Sequence, residues 1–155
     1  MHKTIRTTLV NPPPLEGVYR HQLYLPMGLA YLAVVVEDAG HEVTVIDCPA
    51  QMIDLKQLKT KLASIEPNLI GITSMTPTIQ SAFLSAQAAK EACPEAMVVI
   101  GGPHATFMDE QVLAELRRRL VIARVERVDG DHQRIHGGRH CGVGHDVGQQ
   151  GGHDE

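Results

Sequence analysis

A chain of 155 residues, 43% of them apolar, is long enough for one globular domain. Its formal net charge of −4 argues against nucleic acid or an anionic membrane as the main partner. The cysteines Cys48, Cys93 and Cys141 share no close spacing, so we expect reduced thiols of a cytoplasmic protein rather than disulfides. The first residues include no apolar stretch long enough for a signal peptide or a membrane span.

Up to about residue 116, short β-branched runs alternate with amphipathic stretches. The pattern predicts strands over residues 4–10, 41–47, 68–73 and 97–100, and helices over residues 26–39, 54–65, 78–92 and 109–116. Alternation of strands and helices with short connections predicts an α/β domain, in which a doubly wound parallel sheet is covered by helices on both faces. The sheet has four strands, or five if residues 121–128 form another.

The composition changes after Arg117: arginine becomes frequent, Gly and His dominate from Gly130 onward, and no lysine occurs. Such a segment buries too little apolar surface to offset the entropy of ordering it. We therefore predict a domain over residues 1–116, or to 128 with a fifth strand, and a disordered Gly/His/Arg-rich tail over 129–155. We interpret the change as a frameshift near residue 116 that leaves a truncated protein, which sequencing of the locus would test.

The tail also contains histidines at the residue spacing of one helix face. His132, His136 and His140 are of a residue type that binds Zn²⁺ or Ni²⁺. Gly137 and Gly138 argue against the helix that would align them. We therefore predict no metal site there.

In open parallel sheets, ligands bind at the carboxyl ends of the strands, near the point where strand order reverses. The residues that follow each predicted strand are therefore the candidate site. They are Asn11-Pro12-Pro13-Pro14, then Asp47-Cys48, then Ser74-Met75-Thr76-Pro77-Thr78, and finally Gly101-Gly102-Pro103-His104-Ala105-Thr106. The chain has neither GxGxxG after the first strand nor GxxxxGK[ST], which argues against a dinucleotide site or a P-loop.

Each of these features allows more than one interpretation. The hydroxyls of Ser74, Thr76 and Thr78 either cap the third helix or bind the polar edge of a ligand. Gly101 and Gly102 form either a tight turn or a place where a flat ligand reaches the backbone. For His104, metal ligation, acid catalysis and a plain polar contact at a helix start all stay open.

Two enzymatic interpretations have weaker support from the sequence. Cys48 and Cys93 are expected to be buried small apolar residues rather than nucleophiles. A small hydrolase or transferase that uses His104 with Asp47 is an alternative function, although no activated nucleophile lies in a recognisable setting.

Together these motifs resemble a known family. They are Asn11-Pro12-Pro13, the run from Pro26 to Ala33, Gly40-His41-Glu42-Val43 with Val45-Ile46-Asp47, the run from Ile70 to Thr78, and the run from Val99 to Thr106. In this order they resemble the cobalamin (B12)-binding domain of B12-dependent radical SAM proteins. The subgroup they most resemble is that of the anaerobic magnesium-protoporphyrin IX monomethyl ester cyclase. The resemblance covers roughly residues 4–116.

The resemblance implies a flavodoxin-like (Rossmann-like) sheet of three-layer αβα architecture that holds cobalamin over its carboxyl edge. Two groups of cofactor-binding residues follow from it. Residues near the corrin would be Asn11, Pro12, Pro13 and Met27; residues near the nucleotide tail would be Thr73, Ser74, Met75, Thr76, Thr78, Gly101, Gly102, Pro103, His104 and Thr106. The first loop, Asn11 to Gly17, contains no histidine, so no lower axial ligand to cobalt is expected from it, and His21 is not assigned that role.

The parent family also uses S-adenosylmethionine and a [4Fe–4S] cluster held by Cys-x3-Cys-x2-Cys, a motif absent from this sequence. We therefore expect a cobalamin-binding module that is not active alone. Its partners would be cobalamin and a radical SAM domain or chain in trans. A small-molecule-binding or scaffold domain with an empty slot is the remaining alternative.

Overall fold

The computed structural model describes residues 4–15 and 25–119. The strands are β1 (Arg6–Asn11), β2 (Glu42–Asp47), β3 (Leu69–Thr73) and β4 (Met97–Gly101). The helices are α1 (Met27–Asp38), α2 (Cys48–Gln51), α3 (Leu55–Ile65), α4 (Ile79–Ala92), α5 (Pro103–Phe107) and α6 (Asp109–Arg119), with a 3-10 turn at Thr76–Thr78. The chain divides into units Met1–Val125 and Glu126–Glu155. The proposed fifth strand, the whole second unit and His21 lie outside the described residues.

The four described strands form one parallel sheet in the order β2-β1-β3-β4. Asn11 pairs with Asp47, Val10 with Ile72, and Thr73 with Gly101, so the carboxyl ends of the strands are level. The strand order reverses between β1 and β3, which makes their carboxyl ends the topological switch point. The predicted doubly wound α/β fold is confirmed.

The main core lies on the sheet face that α3 and α4 cover. The strands contribute the fully or nearly fully buried Val10, Ile46, Ile70 and Ile72. Opposite them are Leu58 and Leu62 of α3, and Ala82, Ala86 and Ala89 of α4. The small alanines leave room for α4 to pack closely on both the sheet and α3, and Phe83 on the same helix extends the core to Val112 of α6.

The opposite face carries α1, which packs on β1 and β2. Leu29 is the buried residue of this helix, whereas Tyr31, Val34 and Val35 are 69%, 55% and 64% exposed. On β4, Val99 faces the same side and is partly exposed. Within the described residues, this face is therefore covered over β1 and β2 and open over β3 and β4.

The helix boundaries differ from the sequence predictions in two instructive places. The helix predicted from residue 78 begins at Ile79, because Thr76–Thr78 form a 3-10 turn. The last predicted helix continues past residue 116 to Arg119, where Arg118 and Arg119 both pair with Glu115 within one turn. The short helices α2 and α5 were not predicted.

Candidate cofactor site at the carboxyl edge of the sheet

Ser74 joins the connections that follow β3 and β4. It is fully buried, and both its backbone N–H and its hydroxyl donate to the carbonyl oxygen of Gly101, each at 2.8 Å. The carbonyl of Ser74 in turn accepts from the backbone N–H of His104 at 3.2 Å. The interpretation of Ser74 as a helix cap is therefore wrong, because its hydroxyl is committed to holding two strand ends in register.

Thr78 has a similar structural role. Its hydroxyl oxygen accepts from the backbone N–H of Met75 at 2.9 Å, and its side chain makes no capping bond to α4. Thr76, by contrast, is exposed, and its Oγ1 lies 3.2 Å from Nδ1 of His104. Of the three hydroxyls in this turn, Thr76 is the one presented at the surface of the edge.

Gly101 and Gly102 differ in what surrounds them. Gly102 has φ +92°, and an added Cβ would lie 2.6 Å from the carbonyl oxygen of Ser74. This position therefore requires glycine for the backbone itself. No heavy atom lies within 4 Å of the corresponding point at Gly101. The open approach expected for both glycines is thus present at Gly101 only.

The connection after β4 is a short helix rather than an extended turn. Pro103 is in the first turn of α5, and the backbone N–H and hydroxyl of Thr106 both donate to the carbonyl of Gly102 at 3.1 Å. His104 is half-buried beside Thr76. Of the interpretations left open for His104, the structure shows a polar contact at a helix start.

The first residues after β1 are anchored at the switch point. Asn11 donates from Nδ2 to Oδ1 of Asp47 at 2.9 Å, which ties the ends of β1 and β2 together. Pro12 and Pro13 are buried, and the hydroxyl of Ser81 on α4 donates to the carbonyl of Pro13. Ser81 was missed by sequence reasoning, because a serine inside an alanine-rich helix gives no signal that it anchors a distant loop.

The residues of the alternative hydrolase, Asp47 and His104, are not brought together. Asp47 ends β2 and His104 follows β4, which are the two outer strands of the described sheet. Three interstrand spacings separate them, about 14 Å. Each already has another partner, Asn11 and Thr76 respectively. The geometry does not favour this alternative.

The two thiols in the described part of the chain, those of Cys48 and Cys93, lie in surroundings that disfavour the thiolate. Cys48 is fully buried, and burial, with the negative charge of Asp47, raises its pKa from 9.0 to about 12. Desolvation also raises the pKa of Cys93, whose thiol lies 3.4 Å from the carbonyl of Leu62. The expectation of a buried residue is confirmed for Cys48. Cys93 is only half-buried.

Residues 4–15 and 25–119 contain no group of three or more His, Cys, Asp or Glu side chains that could hold a metal ion. Within these same residues, no helix is long and apolar enough to cross a membrane.

Residues 18–127 match the family model described as the B12 binding domain. The chain is 33% identical over 115 residues to an uncharacterized methyltransferase of Pyrococcus horikoshii, which covers 73% of this chain and 25% of that protein. It is 36% identical over 91 residues to the anaerobic magnesium-protoporphyrin IX monomethyl ester cyclase of Rubrivivax gelatinosus, which covers 58% of this chain and 16% of that protein. The chain thus spans a quarter or less of the length of these curated relatives.

A solved structure shares the fold. It is the radical S-adenosylmethionine methyltransferase TsrM of Kitasatospora setae, determined with a tryptophan substrate and a SAM analog bound. The two superpose with a TM-score of 0.61 over 74% of this chain and 22% of that chain, at 22% sequence identity. At this identity the likeness establishes the fold alone.

Proposed function

This chain belongs to the B12 binding domain family, and from that premise we propose that it is a module that holds cobalamin at the carboxyl edge of its sheet. The family match over residues 18–127 is the observation that carries the proposal. Ligands of open parallel sheets bind at a switch point, which here lies between β1 and β3. The site would therefore be built from the three connections that follow β1, β3 and β4.

The described residues at this edge fit such a cofactor. A Cβ added at Gly101 would meet no heavy atom within 4 Å other than those of Gly101 and its two chain neighbours, which allows a flat group to approach the backbone at the end of β4. Thr76 and His104 present polar atoms in the connections that follow β3 and β4. Cobalamin carries a broad macrocycle with amide side chains and a nucleotide tail, so it needs both kinds of surface.

The proposed cofactor-binding residues fall into three groups by the role each would have. Ser74, Thr78 and Gly102 would shape the turns, because their polar atoms or backbone are already engaged within the protein. The residues proposed to contact the nucleotide side of the cofactor are Thr73, Met75, Thr76, Gly101, Pro103, His104 and Thr106. The residues on the corrin side would be Asn11, Pro12, Pro13 and Met27, and the two buried prolines restrict the backbone at the start of the loop.

Cobalt supplies the reactive chemistry when the cofactor is bound, and the protein supplies binding, orientation and shielding. The described part of the first loop, Asn11 to Leu15, contains no histidine or other imidazole donor. We therefore propose that cobalamin is held without a histidine lower ligand from this loop. The contacts to the macrocycle and the tail would supply the affinity instead.

The wider reaction would need a second component. The relatives include proteins named as a methyltransferase and a cyclase, and this sequence lacks Cys-x3-Cys-x2-Cys. Under the proposal, a radical SAM domain or chain would bring S-adenosylmethionine and a [4Fe–4S] cluster to the cobalamin that this module holds. The cytoplasm, which keeps thiols reduced, is the proposed location.

The proposal is tested by mixing the purified chain with hydroxocobalamin, desalting it and recording the visible absorbance. We expect stoichiometric retention by a protein that circular dichroism shows to be folded. Cobinamide, which has the corrin but no nucleotide tail, is the matched ligand and should bind at least about tenfold more weakly, a loss of ~1.4 kcal/mol. No retention of hydroxocobalamin by folded protein would contradict the proposal and favour a scaffold with an empty slot.

A further inference from the structure

A buried hydroxyl on α4 bonds to the loop that follows β1. Ser81 lies in the first turn of α4 and is only 2% exposed. Its hydroxyl donates to the carbonyl oxygen of Pro13, which is also buried and lies 68 positions away in the sequence. A hydroxyl that is removed from water costs free energy unless it finds a partner. Serines within helices often bond to a carbonyl of the preceding turn, whereas the hydroxyl of Ser81 is committed to a distant loop.

The loop after β1 has few backbone groups with which to hold its own position. Residues 12–14 are all proline, and proline has no N–H to donate. Its carbonyl oxygens are therefore the backbone groups through which this part of the loop can be anchored. Among the described residues, the side chain of Asn11 ties the start of the loop to the end of β2, and the hydroxyl of Ser81 ties Pro13 to α4.

The bond from Ser81 also crosses the topological switch point. The helix α4 follows β3 and packs on β3 and β4. The next described helix after β1 is α1, which lies on the opposite face of the sheet. The connections that follow β1 and β3 therefore diverge, and ligands of open parallel sheets bind in the crevice between two such connections. Ser81 joins the two sides of this crevice.

We infer that Ser81 is a positioning residue for the cofactor: its hydroxyl fixes how far the loop after β1 lies from α4. The inference rests on the proposed function, because the loop residues Asn11 to Pro13 are the ones proposed to lie on the corrin side. Ser81 itself does not touch the cofactor, since its side chain is buried and its hydroxyl is already engaged. Without this bond the loop occupies its binding position for only part of the time, and the apparent affinity for the ligand falls by that fraction.

Ser85 provides a matched control one turn further along the same helix. It is fully buried, as Ser81 nearly is, but its hydroxyl finds no hydrogen-bond partner in the described part of the chain. Ser81→Ala and Ser85→Ala remove the same atom from the same helix, so a difference between the two variants reports the bond to Pro13. We expect Ser81→Ala to bind hydroxocobalamin about tenfold more weakly than the parent chain. Ser85→Ala should bind it as tightly as the parent.

Two further measurements locate the effect. Cobinamide has the corrin but no nucleotide tail, so Ser81→Ala should weaken the binding of cobinamide by the same factor as the binding of hydroxocobalamin. Amide NMR of the unliganded chain tests the position of the loop without any cofactor. The backbone signal of Leu15, the first N–H after the prolines, and the side-chain amide signals of Asn11 should shift in Ser81→Ala and stay in place in Ser85→Ala.

The outcomes separate the inference from the proposed function. If the parent chain binds no cobalamin, the proposed function fails and Ser81 has no cofactor to position. If the parent binds and Ser81→Ala unfolds at a lower temperature but binds both corrinoids as tightly, the bond is structural only and the inference is wrong. A loss confined to hydroxocobalamin would assign the effect to the nucleotide side and overturn the inference. Equal losses in Ser81→Ala and Ser85→Ala would also overturn it, because the cause would then be the packing of α4.

Discussion

Gly101 and Gly102 are adjacent in sequence, yet their surroundings differ, so we expect substitution by alanine to affect stability differently at the two positions. Gly101→Ala places a methyl group in open space, without positive φ. We predict unchanged or slightly higher stability, because alanine loses less backbone entropy on folding. Cobalamin retention should fall, because the methyl group fills the space proposed for the ligand. Thermal unfolding and desalted absorbance measure the two effects.

Gly102→Ala is the matched control. Its φ of +92° and the 2.6 Å approach to the Ser74 carbonyl should cost about 1–3 kcal/mol of unfolding free energy, measured by urea denaturation. Cobalamin binding by the Gly101→Ala protein that is as tight as binding by the parent would show that Gly101 does not line the site. A Gly102→Ala protein of full stability would contradict the account of this turn.

The two described thiols also differ. Because burial raises the pKa of Cys48 to about 12, its thiolate is scarce at pH 8, and iodoacetamide should leave it unmodified until the chain unfolds. The half-buried Cys93 should react faster than Cys48 in the folded protein. Peptide mass spectrometry distinguishes them, and equal rates for the two residues would show that Cys48 is not protected by the fold.

The same thiol makes stability depend on pH. The pKa of Cys48 is higher in the folded state than its ordinary value of 9.0, so its contribution to stability is present below pH 9. That contribution declines as pH rises from 9 towards 12, because the unfolded chain then loses the proton first. Cys48→Ala should flatten this alkaline decline in urea titrations. An unchanged alkaline slope would assign the decline to other groups.

At the scale of elements, α3 was predicted best, because its start has a strong local signal. Asp54 accepts from the backbone N–H of Gln57 at 2.7 Å, and the Gln57 side chain accepts from the N–H of Asp54 at 2.9 Å. Asp54→Ala should cost about 1 kcal/mol of unfolding free energy. Lys56→Ala, an exposed change in the same helix, should stay within about 0.5 kcal/mol. Equal losses in the two variants would contradict the capping interpretation.

The short helices were missed because each offers too few residues for a periodic pattern. A signal was present nonetheless: Pro49 and Pro103 each lie in the first turn of their helix, a position that proline favours. For α1, the sequence predicted the helix but not its orientation. Met27 to Val36 contains no charged residue, so periodicity does not separate the side of Leu29 from the exposed side of Val34 and Val35.

At the scale of the whole molecule, the order of strands and helices was enough to predict the parallel sheet and the edge at which ligands bind. The strand register and the long-range contacts could not be predicted from the order of strands and helices. The bond from Ser74 to Gly101 and the bond from Ser81 to Pro13 join residues far apart in sequence. Such pairs depend on tertiary packing, which no local pattern encodes. The difference between the surroundings of Gly101 and those of Gly102 also depends on tertiary packing.

Two carboxylates in ion pairs on the helices, Glu91 and Glu115, make stability depend on pH in the acid range. Lys59 on α3 pairs with Glu91 on α4 at 2.7 Å, and the pKa of Glu91 is lowered, first by the hydrogen bond from Lys59. On α6, hydrogen bonds from Arg119 and then Arg118 lower the pKa of Glu115. A carboxylate with a lowered folded pKa stabilises the protein above its ordinary pKa of 4.5, and that contribution is lost as pH falls through the folded value.

Glu115→Gln should therefore reduce stability at pH 7, and the difference from the parent chain should shrink as pH falls below about 4.5. Urea midpoints across pH 3–7 measure it. A difference that stays constant over this range would mean that the charge of Glu115 contributes nothing.

The central claim, that this chain holds cobalamin at the carboxyl edge of its sheet, is tested most directly by amide NMR of the ¹⁵N-labelled chain with and without hydroxocobalamin. We predict large shift changes in the connections after β1, β3 and β4, including Thr76, Gly101 and His104, with the amides of Leu69 and Met97 at the amino ends of their strands unaffected. The absence of shift changes, or changes centred on the amino edge or the outer surface of α3, would contradict it.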